Sequence, residues 1–247
     1  MRRLAQEAGS PAEPPFDAPG LGRPDLVAVL ESAAHLQQVV PDAVLVGGSA
    51  AALWAGHRVS FDHDHVVADL ADRFDMVLEA VEATEGWVTN RLTPGKVILG
   101  ELGGIDSGVR QLIRRRPLEV VEVQLPSGQR VKVPTPDETL RIKGFLVVRR
   151  NQTRDYLDVA GLCDRYGEAH GARVLAHIDD YYADQRGRDA AGVATQLVEQ
   201  LAEPRPKDRL SAEQLRHYKQ LDARWADWGE VVTVCRSVAA LMVEAPE

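Results

Sequence analysis

Apolar residues at 26, 27, 29, 30, 33, 36, 39 and 40 of LVAVLESAAHLQQVV form one broad stripe at helical spacing, opened by Pro24 and Asp25. A helix is expected there. The continuous apolar run AVLVGG (43–48) is too short for a helix and reads as a buried strand, while SAAALWAG (49–56) reads as a short helix that Gly56 ends in the left-handed conformation. Next, RVSFDHDHVV (58–67) sets apolar or aromatic residues at 59, 61 and 67 against Ser60, Asp62 and Asp64, which is strand alternation. Ser60, Asp62 and Asp64 then share one face, and His63 and His65 leave from the other with Val59, Phe61 and Val67. DLADRFDMVLEAVEAT (69–84) returns to a 3.6-residue period.

After Gly86 the pattern becomes a series of short strands, WVTNRL, KVILGEL, IDSGVRQLI, LEVVEVQL and RVKVP, separated by turn signals at Pro94-Gly95, Gly103-Gly104 and Ser127-Gly128. Thr135-Pro136-Asp137-Glu138 is a helix opening, with threonine as N-cap, proline at the first helical position and glutamate three residues after the cap. From there helices are expected over 137–150, 153–166, 170–184, 189–202 and 211–243, the last opened by Ser211 with Gln214 as a second capping box, and Pro204 and Pro206 marking the linker before it. The expected architecture is α+β: a mixed-sheet lobe with covering helices over 24–135, followed by an all-helical lobe over 136–247. Residues 1–23, rich in proline and glycine, are expected to form a disordered tail.

Composition narrows the class. With 247 residues and 45% hydrophobic content, the chain can bury a real core. Its longest mainly apolar run, 43–56, is interrupted by Gly-Gly-Ser and falls short of the roughly 20 residues a membrane span requires. Arg2 and Arg3 are followed by no apolar leader segment, so a cytoplasmic protein without membrane partners is the expectation. Cys163 and Cys235 lie in apolar helical surroundings and read as small hydrophobes. The balance of 29 basic and 37 acidic residues, net charge -8, argues against a surface built as a whole to wrap nucleic acid, while leaving room for a local basic patch.

Two carboxylates at i and i+2 on one strand face stand roughly 6 to 7 Å apart, close enough to share divalent ions. Oxygen ligands favour Mg²⁺ or Mn²⁺. Gly47-Gly48-Ser49 lies where a strand turns into a helix, so backbone N–H groups and the helix dipole can face a phosphate. Together these parts suggest a nucleoside triphosphate (NTP) clamp. Residues 47–64 resemble the signature of the nucleotidyltransferase superfamily that includes DNA polymerase β. The longer string GGSAAALWAGHRVSFDHDH, with Lys143 and RRNQTRDYLDVAGL further on, resembles the AbiEii/AbiGii-type toxin branch of that superfamily. The resemblance covers about residues 40 to 165. It implies a nucleotidyltransferase-like fold and metal-dependent transfer of a nucleoside monophosphate from an NTP to an acceptor hydroxyl, with a tRNA 3′ end as one acceptor and a cognate antitoxin as a partner.

Carried over by position, the resemblance assigns Asp62 and Asp64 to metal, Gly47, Gly48 and Ser49 to the triphosphate, and Ser60 to the lining of the site. It assigns Lys143 to a phosphate, and Asp155 and Asp158 to orienting basic residues or the nucleotide. Arg154 stands where lysine is usual, which keeps the charge and changes the hydrogen-bond geometry. A third carboxylate, acting as general base on the acceptor, is assigned to Asp106 in GGIDSGVRQL, with Glu101, Glu119 and Glu122 as competitors. Other readings remain open: a nucleotide- or partner-binding relative without turnover, and a transferase acting on a small molecule or a protein. A metal site built from His57, His63 and His65 is disfavoured by the strand alternation. The Arg114-Arg115-Arg116 run, with Arg149, Arg150 and Arg154, is either a solvated face or a cleft wall for acceptor phosphates. Trp225, Trp228, Tyr181 and Tyr182 read as core.

Overall fold

A computed structural model describes residues 16–185, 191–208, 215, 218 and 220–244. Helix α1 (Pro24–Val39) leads to strand β1 (Val44–Val46) and helix α2 (Gly47–Ala55), followed by β2 (Asp62–Val67) and α3 (Phe74–Glu82). Strands β3 (Trp87–Thr93), β4 (Val97–Leu102) and β5 (Ile105–Gln111) complete a five-stranded sheet of order β1-β2-β5-β4-β3. Only the β2–β5 pair is parallel among these neighbours. Strands β6 (Val120–Gln124) and β7 (Arg130–Pro134) form a separate two-stranded ribbon. The helical part comprises α4 (Pro136–Arg150), α5 (Thr153–Tyr166), α6 (Glu168–Ala176), α7 (Asp179–Tyr182), α8 (Val193–Ala202) and α9 (Trp228–Glu244).

Local chemistry accounts for the junctions. Gly56 closes α2 at φ 66°, and its N–H reaches the Ala52 carbonyl. Thr135 caps α4, accepting from the Glu138 N–H at 3.2 Å. The return contact of a capping box is absent: the Glu138 carboxylate is buried against Arg114 and Arg141, and the Thr135 N–H bonds the Glu119 carbonyl instead. Asn151 ends α4 at φ 51°, a left-handed position that asparagine tolerates better than most residues.

Two cores hold the elements. The back face of the sheet packs Val67, Ile98 and Val109 against Leu36 of α1 and Val77 and Val81 of α3. The larger core joins α1, α2 and the β6–β7 ribbon to the helices. Trp54 of α2 is fully buried in it and donates its indole N–H to the Pro134 carbonyl at 2.9 Å. The chain changes from strands to helices near residue 135, but packing does not stop there.

Four expectations need correction. The helix expected over 170–184 is divided into α6, α7 and a 3-10 turn at Ala183–Gln185. Residues 16–23 are not a free tail: Phe16 packs edge-on against Trp54, and Gly20 lies so close to α2 that a Cβ would fall 2.5 Å from the Leu53 Cα. Residues 1–15 lie outside the described residues. No single helix runs over 211–243, since the described segment has a short 3-10 turn at Ala223–Ala226 and α9 starts at Trp228. The proposed Ser211–Gln214 capping box lies outside the described residues. Phe61, expected on the apolar face, precedes β2 and is 48% exposed. Among the described residues no helix is long and apolar enough to cross a membrane.

Candidate active site

Strand β2 alternates between half-buried and buried residues, so Asp62 and Asp64 face the cleft while His63 and His65 face the core. Parallel pairing sets Asp62 opposite Asp106 and Asp64 opposite Gly108, which puts the Asp106 carboxylate on the same sheet face one strand away. Gly108 leaves the space that Asp64 occupies: a Cβ there would lie 2.4 Å from the Asp64 Oδ1. Asp62 Oδ1 accepts from the Ser60 hydroxyl at 2.5 Å, and Asp64 Oδ1 from Arg110 Nε at 3.1 Å. Among the described residues, the second oxygen of each carboxylate carries no hydrogen bond.

Beside this pair, Gly47 opens α2 at φ 78°, and no side chain caps the helix, so its first-turn amides stay free for an anion. A cleft of about 310 Å³ joins Gly47 and Gly48 to Ser60, Asp62, Asp64 and Lys143. A Cβ at Gly48 would meet Ser60 Oγ at 2.4 Å and Arg58 Nη2 at 2.7 Å, so a larger residue there must displace both side chains. Ser49 can meet a phosphate through its backbone N–H and not through its side chain. Its buried hydroxyl donates to the Asp62 carbonyl at 2.5 Å, tying the start of α2 to β2 instead of facing the cleft.

The cationic wall is held from behind. Asp158, fully buried, accepts Arg58 through both oxygens at 2.7 and 3.0 Å, Lys143 Nζ at 2.6 Å and His57 Nε2 at 2.8 Å. Burial alone would push its carboxyl up, but Arg58 and Lys143, with hydrogen bonds from His57 and Arg58, outweigh that and hold it well below the usual carboxylate range. Burial pushes His57 down despite its Asp158 contact. Asp155 likewise accepts both arms of Arg150, at 2.8 and 2.7 Å. Neither carboxylate has surface to offer a nucleotide, so both orient cations. Three cations, Arg58, Lys143 and Arg150, face these two acids, and the exposed Arg154 adds a further positive charge at the cleft. No role is expected of Arg58 from the sequence; its only signal is its place in the string GGSAAALWAGHRVSFDHDH.

Among the competitors, Glu101 shares the sheet face of Asp106, and the other two lie outside the five-stranded sheet. Glu101 pairs opposite Asp106 on β4 and accepts from Asn90 at 3.3 Å. Glu119 is engaged by Arg141 and Tyr181, and Glu122 sits on the ribbon beside Arg130. A polar cavity of about 280 Å³ joins Asp62, Asp64 and Asp106 to Asn90 and Arg91. The arginine run divides: Arg114 is buried against Glu138 and Arg116 lies over the Tyr181 ring, while Arg150 and Arg154 line the cleft. Trp225 and Tyr182 are buried, whereas Tyr181 is only half-buried between the guanidinium groups of Arg116 and Arg141.

No established protein-family profile matches the chain. The structure is similar to MenT4, a nucleotidyltransferase toxin from Mycobacterium tuberculosis H37Rv, with a TM-score of 0.55 and 20% identity over 92% of this chain and 88% of that one. The fold is nucleotidyltransferase-like. In sequence the chain is 34% identical over 232 residues to the heme uptake protein MmpL11 of M. tuberculosis, covering 89% of this chain and 23% of that protein. It is 43% identical over 135 residues to the mycolic acid-containing lipids exporter MmpL11 of Mycolicibacterium smegmatis, covering 53% of this chain and 13% of that one. The chain therefore spans less than a quarter of the length of the curated relatives it matches.

The residues present fit a divalent cation of the Mg²⁺ type. Among the described residues no three His, Cys, Asp or Glu side chains are close enough to enclose an ion alone. Mg²⁺ is commonly held by one or two carboxylates together with substrate phosphates, and Asp62 and Asp64 each present an oxygen beside the free amides of α2.

Proposed function

We propose that the chain transfers a nucleoside monophosphate from an NTP to an acceptor hydroxyl. The observation that carries this reading is the row of Asp62, Asp64 and Asp106 on one sheet face beside the uncapped start of α2. Gly47 and Gly48 admit the β- and γ-phosphates to the first-turn amides of α2. Lys143, Arg150 and Arg154 neutralise their charge. Asp62 and Asp64 would hold Mg²⁺ or Mn²⁺, which when bound polarises the phosphate oxygens and stabilises charge on the leaving group. The acceptor oxygen attacks the α-phosphorus, the bond to pyrophosphate breaks, and Asp106 takes the hydroxyl proton. Arg110 and Ser60 hold the two metal-facing carboxylates in position.

For the acceptor, the AbiEii-type resemblance supports an RNA 3′ end and, with it, a toxin role opposed by an antitoxin. Arg91, Arg110 and Arg154 around the Asp106 cavity supply the positive charge such an acceptor needs. A cytoplasmic site of action follows from the same reading.

The similarity to a segment of the MmpL11 transport proteins favours a second reading, a nucleotide-binding module that serves lipid or haem transport without turnover. Incubation with each labelled NTP, Mg²⁺ and either total tRNA or protein extract separates the two. Label in RNA that vanishes in Asp62→Ala and Asp64→Ala, with melting temperatures close to wild type, supports transfer. Nucleotide binding with no transfer to any acceptor supports the module, and a large loss of stability in both variants would make the aspartates structural.

A further inference from the structure

A third cavity opens beside Asp64. It encloses about 320 Å³ between the end of β5 and α4, within the range of small-molecule sites. Its floor and walls are apolar, including Val66, Leu112, Leu118, Ile142, Phe145 and Leu146, and Ile113 stands 56% exposed among its lining residues. Its charge is one-sided: Arg110, Arg114, Arg150 and Arg154 line it, with Asp64 as the acidic counterpart. Arg110 is engaged by Asp64, and Arg150 by Asp155. Arg154 is exposed and lines this cavity, the phosphate cleft and the Asp106 cavity alike.

A buried arginine backs the same wall. The Arg114 side chain is completely buried, and it donates through Nε to the Arg116 carbonyl and through Nη2 to Pro117 and Glu138. Its Nη1 is buried without any hydrogen-bond partner. No solvent reaches that side chain, so Arg114 stiffens the wall, and Arg154 is the exposed cation of the cavity.

We infer that this cavity is a binding site for a small amphipathic anion, a ring or short acyl body seated among Leu112, Ile142 and Leu146 with its acidic group at Arg154. The site adjoins the triphosphate cleft, with Gly47, Asp64, Arg150 and Arg154 lining both, and goes beyond the transferase reading. Because Arg150 and Arg154 also line the phosphate cleft, the two ligands compete weakly for the same positive charge. Occupancy therefore tunes nucleotide affinity by a few-fold without displacing the nucleotide.

Anilinonaphthalene sulfonate is the anionic probe, and neutral N-phenylnaphthylamine is its control. Both should bind the folded wild-type protein saturably. Ile142→Trp, which fills the cavity, should abolish binding of both probes, and Leu146→Trp serves the same purpose if the first variant melts early. Arg154→Gln should weaken the sulfonate by about tenfold or more, as expected for one lost charge-assisted hydrogen bond, and leave the neutral probe unaffected. Mg²⁺-NTP should weaken the sulfonate by no more than a few-fold. Unchanged sulfonate binding in both tryptophan variants, or complete competitive displacement by Mg²⁺-NTP, would overturn the inference. Calorimetric NTP binding to the wild-type protein keeps the two readings apart. Absent nucleotide binding with intact probe binding counts against the transferase alone.

Discussion

Replacing Gly108 with alanine tests the site geometry without altering a chemical group. The added methyl would lie 2.4 Å from Asp64 Oδ1 and 3.0 Å from Leu99 Cδ2. Ordinary contact starts near 3.4 Å, so the carboxylate must swing away by about 1 Å. Such a carboxylate moves cheaply, and alanine in a strand recovers about 0.5–1 kcal/mol relative to glycine. Net stability should therefore change by less than about 1 kcal/mol. Activity should not be spared, because a displacement of about 1 Å at a reacting centre costs on the order of a hundredfold, or about 2.7 kcal/mol of barrier. The control is Gly171→Ala, whose methyl would meet the buried Cys163 Sγ at 2.5 Å in the helical core. That overpacking should cost about 1–3 kcal/mol of stability and leave turnover per folded molecule unchanged. The assay pairs urea denaturation with the initial rate of label transfer from NTP. A Gly108→Ala protein that keeps the wild-type rate, or that loses rate only in proportion to unfolding, would refute the placement of Asp64.

Asp106→Asn should lower turnover by about 10²–10⁴-fold with NTP affinity retained, whereas Glu101→Gln should stay within a few-fold; the reverse order in the transfer assay would move the base to β4. The back of the same strand predicts a pH response. Burial lowers His63 from 6.5 to about 4, and His65 is lowered well below its ordinary value by burial and by His63. The unfolded chain therefore binds more protons between pH 6.5 and 4. Stability should be fully present above about pH 6.5 and fall as pH drops toward 4, by about 3 kcal/mol from His63 alone at about 1.4 kcal/mol per unit. Urea midpoints at pH 7 and 5 check this, and a flat profile would show that these rings are not held neutral.

Much of the local structure was legible from periodicity because each signal is carried by neighbours in the chain. The alternation of Asp62 to Val67 determined which side chains share a face, and a left-handed glycine at 56 ended α2 where its position suggested. Each of the five short apolar segments after Gly86 became a strand. The 211–243 reading failed because helical spacing alone cannot locate a break, and the described part of that stretch turns at Ala223–Ala226 before α9 begins.

What sits beside what depended on pairing across long separations. That Asp106 and not Glu122 neighbours Asp62 follows from the parallel β2–β5 register, and nothing near either residue in the chain encodes it. The same holds for Asp158, which lies 100 residues from Arg58 and yet accepts from its Nε and Nη2. Local order is written in the repeat of polar and apolar side chains, because backbone geometry gives each element a fixed period. The meeting of charges is decided by burial, since a carboxylate removed from water must find cations wherever the folded chain supplies them.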